Sequence, residues 1–373
     1  MNKTAIALAV AASITGVGNV SAASMEDRMM TMEQRLQYLE QRIASQDKVI
    51  AEKDKQISEL TGGEESSGAW FSKVEVGGVV EVEYAHTDEG SSDSTDLVTA
   101  TVELGIAAQI NDWVSGEIVL LYEEEDDNDG SFNVDTAMVS IAGPDANWFI
   151  NAGQYVVPFG MYGTNMVSDP ITLDYGETGD TNLEFGMSAG SLSGSVYAFH
   201  TGDAGDTVPG ADTHVATWGA ALNYETETDS MSFAGHLGYL SRISATDGFE
   251  DSFNDDAAAW VASAELGFGD FVVIGEYLSA MDNIVALGND EPSFFNLELG
   301  YNFGIGELPA TIAIGYQGTD DFDNDMDNIE ETVLGALTVE IMDGTSLAAE
   351  YRTDEAYDGT DSDTLTGLLA VEF

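Results

Sequence analysis

Lys73-Val74-Glu75-Val76-Gly77-Gly78-Val79-Val80-Glu81-Val82-Glu83-Tyr84 decides the fold. Val74, Val76, Val80, Val82 and Tyr84 fall on one parity; Lys73, Glu75, Glu81 and Glu83 fall on the other. Side chains of a strand point alternately to its two faces, so this is a strand with one apolar and one polar face. Leu97–Ile110 repeats the pattern, with Val98, Val102, Leu104 and Ile106 set against Thr99, Thr101, Glu103 and Gln109. The last residues do so again: Leu365, Leu369, Val371 and Phe373 alternate with Thr364, Thr366, Ala370 and Glu372.

Moving outward from these stretches, the reading predicts strands at 71–86, 96–110, 113–123, 132–142, 147–154, 182–189, 192–200, 213–224, 230–243, 256–268, 271–281, 293–303, 309–318, 329–341, 345–354 and 363–373. Their connections alternate in kind. Asn111-Asp112, Gly269-Asp270 and Asp343-Gly344 are tight, whereas 123–127, 251–256, 320–327 and 354–363 are longer and acidic. Strands near ten residues, an even count and alternating short and long connections predict a 16-stranded antiparallel outer-membrane β-barrel, all-β and transmembrane. Trp70, Phe71, Trp113, Trp148, Phe149, Phe271, Phe303 and Phe373 sit at strand ends, as interfacial girdles require. A soluble sandwich does not need its loops to alternate in length, and a propeller should repeat a blade motif, which is missing.

Charge bounds the function. Among 373 residues there are 68 Asp and Glu against 10 Lys and Arg, so a nucleic-acid partner is excluded. The absence of Cys removes disulfides, thiolate metal sites and Cys nucleophiles. His86, His200, His214 and His236 lie in no catalytic motif, and no enzymatic activity is expected. Asp321, Asp323, Asp325 and Asp327 alternate, as do Glu125, Asp127 and Asp129, but neither run keeps the twelve-residue spacing of a calcium loop. They are read as solvated acidic loops, and neither a metal nor a cofactor is expected.

Residues 1–23 have a basic start, a short apolar stretch and small residues at 20–23, the layout of a cleaved secretory signal. Residues 24–61 form a heptad segment, a short α-helical coiled coil ahead of the barrel. Met29, Leu36, Ile43, Ile50 and Ile57 take position a; Met25, Met32, Leu39 and Leu60 take position d, which Gln46 and Lys53 interrupt. Arg28, Arg35 and Arg42 at position g precede Glu33, Glu40 and Asp47 at position e by five residues. That pattern pairs opposite charges between parallel neighbours and like charges between antiparallel ones, so a parallel homo-oligomer is expected. Residues 62–69 read as a linker and 70–373 as the barrel.

Together, the signal, the coiled coil, the sixteen strands and the terminal Phe373 resemble a bacterial porin, more narrowly the siderophore porins of the legiobactin-receptor type. Gly153-Gln154-Tyr155-Val156-Val157-Pro158-Phe159-Gly160 is similar to the Gly-x-x-x-x-Pro-Phe-Gly stretch that enters the third long loop of such porins. The resemblance implies a trimer in the outer membrane, diffusion-type uptake and, by the family's name, siderophore transport.

Parity turns Glu75, Glu81, Glu83, Glu103, Glu117, Glu265, Glu276, Glu298, Glu340, Glu350 and Glu372 inward, with only Arg242 and Arg352 opposing them. Glu350 is a candidate partner for Arg352. A wall of one sign concentrates counter-ions, so the expected function is a water-filled, cation-preferring channel for small solutes. The longest connection, 155–181, is the third long one and is expected to fold inward as a constriction carrying Asp169, Asp174, Glu177 and Asp180. Expected partners are outer-membrane lipid, lipopolysaccharide and small solutes or cations. The alternative is an envelope-tethering or adhesive protein without channel activity.

Overall fold

The computed structural model describes residues 74–373 apart from 91, 125–131, 145, 201–214, 229, 250–256, 324 and 327. The signal and coiled-coil segments therefore lie outside the described residues.

Sixteen antiparallel strands close into one barrel, each paired with its neighbours in sequence and the first with the last. They are β1 Val74–Asp88, β2 Asp93–Gln109, β3 Val114–Glu123, β4 Asn133–Ile141, β5 Trp148–Val156, β6 Gly179–Ala189, β7 Leu192–His200 and β8 Val215–Thr228. The second half comprises β9 Met231–Leu240, β10 Ala259–Phe268, β11 Phe271–Ala280, β12 Ser293–Ile305, β13 Leu308–Asp320, β14 Ile329–Met342, β15 Thr345–Ala356 and β16 Asp361–Glu372. All sixteen expected segments contain a strand. The seam runs from Val79 opposite Glu372 to Asp88 opposite Asp363. It is tied off by reciprocal backbone bonds of 3.1 Å between Gly78 and Phe373.

Directly opposed residues share a face, so the register fixes which side chains meet the membrane. Val80 opposes Val102 and Val371, and Ile106 opposes Ile118; these look outward. Outward apolar side chains are open to the surroundings, as with Leu183 at 60% and Ile314 at 62%. That inverts a soluble protein and suits lipid. Rings form two belts. Trp218–Tyr239, Trp260–Tyr277 and Phe295–Tyr316 pair at the end carrying the long loops, with centroids 5.1–5.4 Å apart. Tyr224–Phe233, Phe271–Tyr301 and Trp113–Trp148 do so at the short-turn end. Phe149 departs from the girdle reading: it opposes Gly186 on the inner face and packs over that glycine.

One irregularity changes a facing. Glu81 opposes Thr101 but Glu83 opposes Val98, so β2 carries an extra residue there. A bulge reverses parity beyond it. Val98 therefore turns into the lumen and Leu97 outward, correcting the simple alternation drawn through Val98.

Candidate transport passage

The chain between β5 and β6, residues 157–178, lies inside the barrel. Its entry is apolar. Val157 and Phe159 are buried, and they join Phe199, Leu240, Val261, Leu278 and Phe294 from the inner wall in one core. Each such side chain contributes about 1.5–3 kcal/mol on burial, enough to hold a loop against a wall that would otherwise be wet. The approach is close: a Cβ at Gly238 would stand 2.9 Å from the Phe159 carbonyl oxygen, so β9 needs glycine there.

From Met161 to Ser168 the loop is fastened at three-residue intervals to carboxylates of the far wall. The Met161 and Tyr162 amides donate to Glu276 on β11, at 2.9 and 3.3 Å. The Thr164 hydroxyl and the Asn165 amide donate to Glu298 on β12, both at 2.7 Å. The Val167 amide, at 2.6 Å, and the Ser168 hydroxyl, at 2.7 Å, donate to Glu350 on β15. All three glutamates are buried. Ser263 also donates to Glu276. These carboxylates lie on the inner side of the wall and serve the loop rather than open water.

A short helix α1, Ile171–Gly176, follows; the Ile171 amide donates to Gln317 at 3.0 Å. Tyr175 on α1 stacks on Phe294 at 4.4 Å and meets Phe249 and Phe322 at 5.3 and 5.1 Å. Phe249 and Phe322 come from the connections after β9 and β13, so further outer loops also close over α1. The first of these comes so near that a Cβ at Gly248 would lie 2.0 Å from the Asp174 carbonyl oxygen. Loop and core together fill the barrel beside β7–β12.

A cavity of about 740 Å³ stays open along the other side, the candidate passage. Glu81, Glu83, Glu103, Glu123, Glu124 and Glu372 line its wall on and beside β1–β3 and β16; Asp169 and Glu177 line it from the loop. Thr311, Thr338, Ser346, Ala348 and Leu368 give the rest of the wall a small, uncharged surface. No basic residue lines it among the described residues. The loop carboxyls feel this crowding. Poor solvation, then Asp247, Asp169, Asp135 and Glu123 in turn, push Glu177 up to about 7. Poor solvation and Asp169 push Asp174 up to about 6, against a downward pull from Arg352. Asp169 is raised by burial and by Glu350.

The remaining candidates are distributed as follows. Glu117 faces inward opposite Ala107 and Met138, and Glu265 opposite Ile274. Glu75 and Glu340 sit inward at the short-turn end, opposite Ala107 and Ser346. Asp180 is not in the loop: it opposes Tyr155 within β6, because the β5–β6 ladder continues to Val156 and Gly179. Arg242 is off the wall. β9 ends at Leu240, and fully buried Ile243 draws the chain inward, with its amide on the Ala257 carbonyl at 2.8 Å. Arg352 stays on the inner face opposite Leu334, but it pairs with Asp354 at 2.8 Å; Glu350 is occupied by the loop.

A closed sixteen-strand barrel narrowed by its own third loop defines a porin-type channel fold. Residues 56–359 match the family model described as Gram-negative porin. The chain belongs to that family, whose barrels lie in the outer membrane. A UPF0422 protein of Coxiella burnetii is 26% identical over 291 residues, 74% of this chain and 62% of that one. A UPF0422 protein of Legionella pneumophila is 23% identical over 293 residues, 70% of this chain and 55% of its own. The chain thus spans only 62% and 55% of these relatives. The outer membrane channel DcaP of Acinetobacter baumannii superposes with a TM-score of 0.58 at 15% identity, over 80% of this chain and 97% of that one. An anion-selective porin from Comamonas acidovorans gives 0.56 at 13%, over 80% and 99%. These likenesses concern the fold; the anion selectivity is the Comamonas protein's own.

Proposed function

We propose that the chain is a cation-preferring channel for passive diffusion of small solutes. The observation that carries this is the passage itself: carboxylates stand on the β1–β3 wall and on the loop facing it, and among the described residues no basic side chain joins them. A narrow passage with one sign of charge on both sides draws cations and repels anions. An anionic ferric siderophore meets that repulsion, so siderophore uptake is the poorer fit. Arg352 is held by Asp354 and does little to relieve it. Cations and small neutral solutes are the better substrates.

The working form is a parallel trimer. The heptad pattern of 25–60 supports parallel association, and trimeric assembly occurs among the fold's neighbours, one being an OmpT of Vibrio cholerae described as a trimer form. Reversal potentials in planar bilayers under a salt gradient test the selectivity. Cation preference that is strongest at low salt and fades as the Debye length falls below about 8 Å is expected. Anion preference at low salt would overturn the selectivity, and protein that inserts but never conducts would overturn the channel.

A further inference from the structure

The three glutamates that fasten the loop are not alike. Glu298 receives the Thr164 hydroxyl and the Asn296 side-chain amide on Oε1 and the Asn165 amide on Oε2. Glu350 receives the Ser168 hydroxyl on Oε1 and the Val167 and Ser168 amides on Oε2. Both oxygens of each are in use. On Glu276 every donor goes to one oxygen: the Met161 and Tyr162 amides and the Ser263 hydroxyl all reach Oε2. Oε1 is buried and accepts from no described group. The residue is only 5% exposed, so bulk water does not make up the deficit. A buried carboxylate oxygen without a partner is costly, and the charge it carries calls for a positive neighbour. Arg242 and Arg352 are the Lys and Arg among the described residues, and neither borders the space beside Glu276. His236 stands opposite Ser263, but its Nε2 turns towards Gly238, away from that space.

That space is a cavity of about 10 Å³ between loop and wall, bounded by Met161 and Gly163 on one side and by Ser263, Glu265, Ile274 and Glu276 on the other. Glu265 is the next inward residue of β10 after Ser263, and its Oε2 would lie 3.8 Å from a Cβ at Gly163. A second carboxylate therefore reaches the underside of the loop. The Ser263 proton is committed to Glu276 Oε2, which leaves the lone pairs of its oxygen to face a cation. The cavity stands at the lower limit for one water molecule, and a sodium ion stripped of its shell is smaller than that. Calcium takes about six to eight oxygens and magnesium keeps several waters, and neither arrangement fits here. We infer that this cavity is a site for one dehydrated sodium ion, held by Glu276 Oε1, Ser263 Oγ and Glu265, and that the ion pins the Met161–Gly163 stretch of the loop to β10 and β11. Tyr162, in the middle of that stretch, has a left-handed φ of 51°, a conformation that persists only where the surroundings hold it firmly. None of the residues around the site lines the open passage, so the inference stands apart from the selectivity proposed above.

Amide hydrogen exchange of the full-length folded protein tests this, in sodium chloride and in choline chloride at equal ionic strength. Choline screens charge as sodium does but is far too large for the cavity. Sodium should slow exchange at 161–163 severalfold, whereas 165–168, which Glu298 and Glu350 hold, should exchange alike in both salts. Glu265→Gln keeps every fastening bond of the loop and should abolish the sodium effect. Its side chain is exposed, so the variant should fold as the parent does. A crystal structure of the parent grown in sodium chloride should show one density among Glu276 Oε1, Ser263 Oγ and Glu265, at sodium–oxygen rather than water–oxygen distances. Equal exchange at 161–163 in the two salts would overturn the inference. So would a sodium effect that survives in Glu265→Gln, or a density at water–oxygen distances, which would make the occupant a water only. Reversal potentials are read separately and bear on the selectivity, not on this site.

Discussion

Glu350→Ala should release the middle of the constriction loop. Glu350 is 2% exposed and accepts from the Val167 amide at 2.6 Å, the Ser168 amide at 3.3 Å and the Ser168 hydroxyl at 2.7 Å. Hydrogen bonds to a charged acceptor contribute about 1.5–3 kcal/mol each, but three that share one carboxylate are not additive. Water from the adjoining passage can also rehydrate the orphaned donors. A net local loss of about 3–4 kcal/mol is therefore the working figure. At about 1.4 kcal/mol per factor of ten, that corresponds to a hundredfold to thousandfold faster opening of this segment. Amide hydrogen exchange in folded protein reads it directly. Peptides covering 164–169 should lose protection by that order, while the ladder of β11–β12 keeps its own. Glu350→Gln retains an acceptor oxygen for the amide pair and should fall between the two. In bilayers, Glu350→Ala should show noisier current steps than the parent. If exchange at Val167 and Ser168 changes less than about threefold, well under one kcal/mol, the carboxylate does not hold the loop and the reasoning fails.

Three further outcomes follow from the same geometry. With Glu177 near 7 and Asp174 near 6, lowering the pH through this range protonates both and removes two charges; cation preference measured by reversal potential should fall from pH 8 to pH 5, and a flat profile would contradict it. Replacing Glu81, Glu103 and Glu123 together by Gln should reduce low-salt cation preference more than replacing Glu75, Glu117 and Glu340, because only the first set lines the passage; equal effects in the two triple variants would refute that distinction. Phe294→Ala removes a fully buried ring that stacks on Tyr175, and should cost about 3–5 kcal/mol, read as a lowered thermal midpoint and as faster exchange in α1; an unchanged midpoint would show that the four-ring cluster adds little.

The wall was legible in the sequence because a period of two is a local signal. Strand ends and facings followed from it until the pattern met something non-local. The bulge opposite Glu81 and Glu83 reversed Val98, and no residue in β2 announces it. Arg242 was lost from the wall because Ile243 is pulled into a core assembled from distant segments. Glu276, Glu298 and Glu350 were readable as inward, but their partners lie more than a hundred residues away, so their role as fasteners was not. One signal was available and unused. Near the outer ends of β7–β12 both faces are apolar, as in Tyr239-Leu240, Trp260-Val261, Tyr277-Leu278 and Phe294-Phe295. A strand apolar on both faces is covered on both sides, and there the inner cover is the third loop.

The bonds that join Gly78 to Phe373 have a consequence for how the molecule is made. The two seam strands come from opposite ends of the barrel sequence, so the cylinder cannot close until β16 has been delivered. Until then β1 presents an unpaired strand edge, the kind of surface that recruits other chains. Bringing ends roughly 300 residues apart together costs about 5 kcal/mol on a simple logarithmic law. Neighbouring hairpins can zip together beforehand and shorten the effective gap, which makes the seam the natural last event. Maturation then depends on keeping an open, edge-bearing sheet solitary until it shuts, and the pairing of β16 with β1 is the fastener that ends the exposed period.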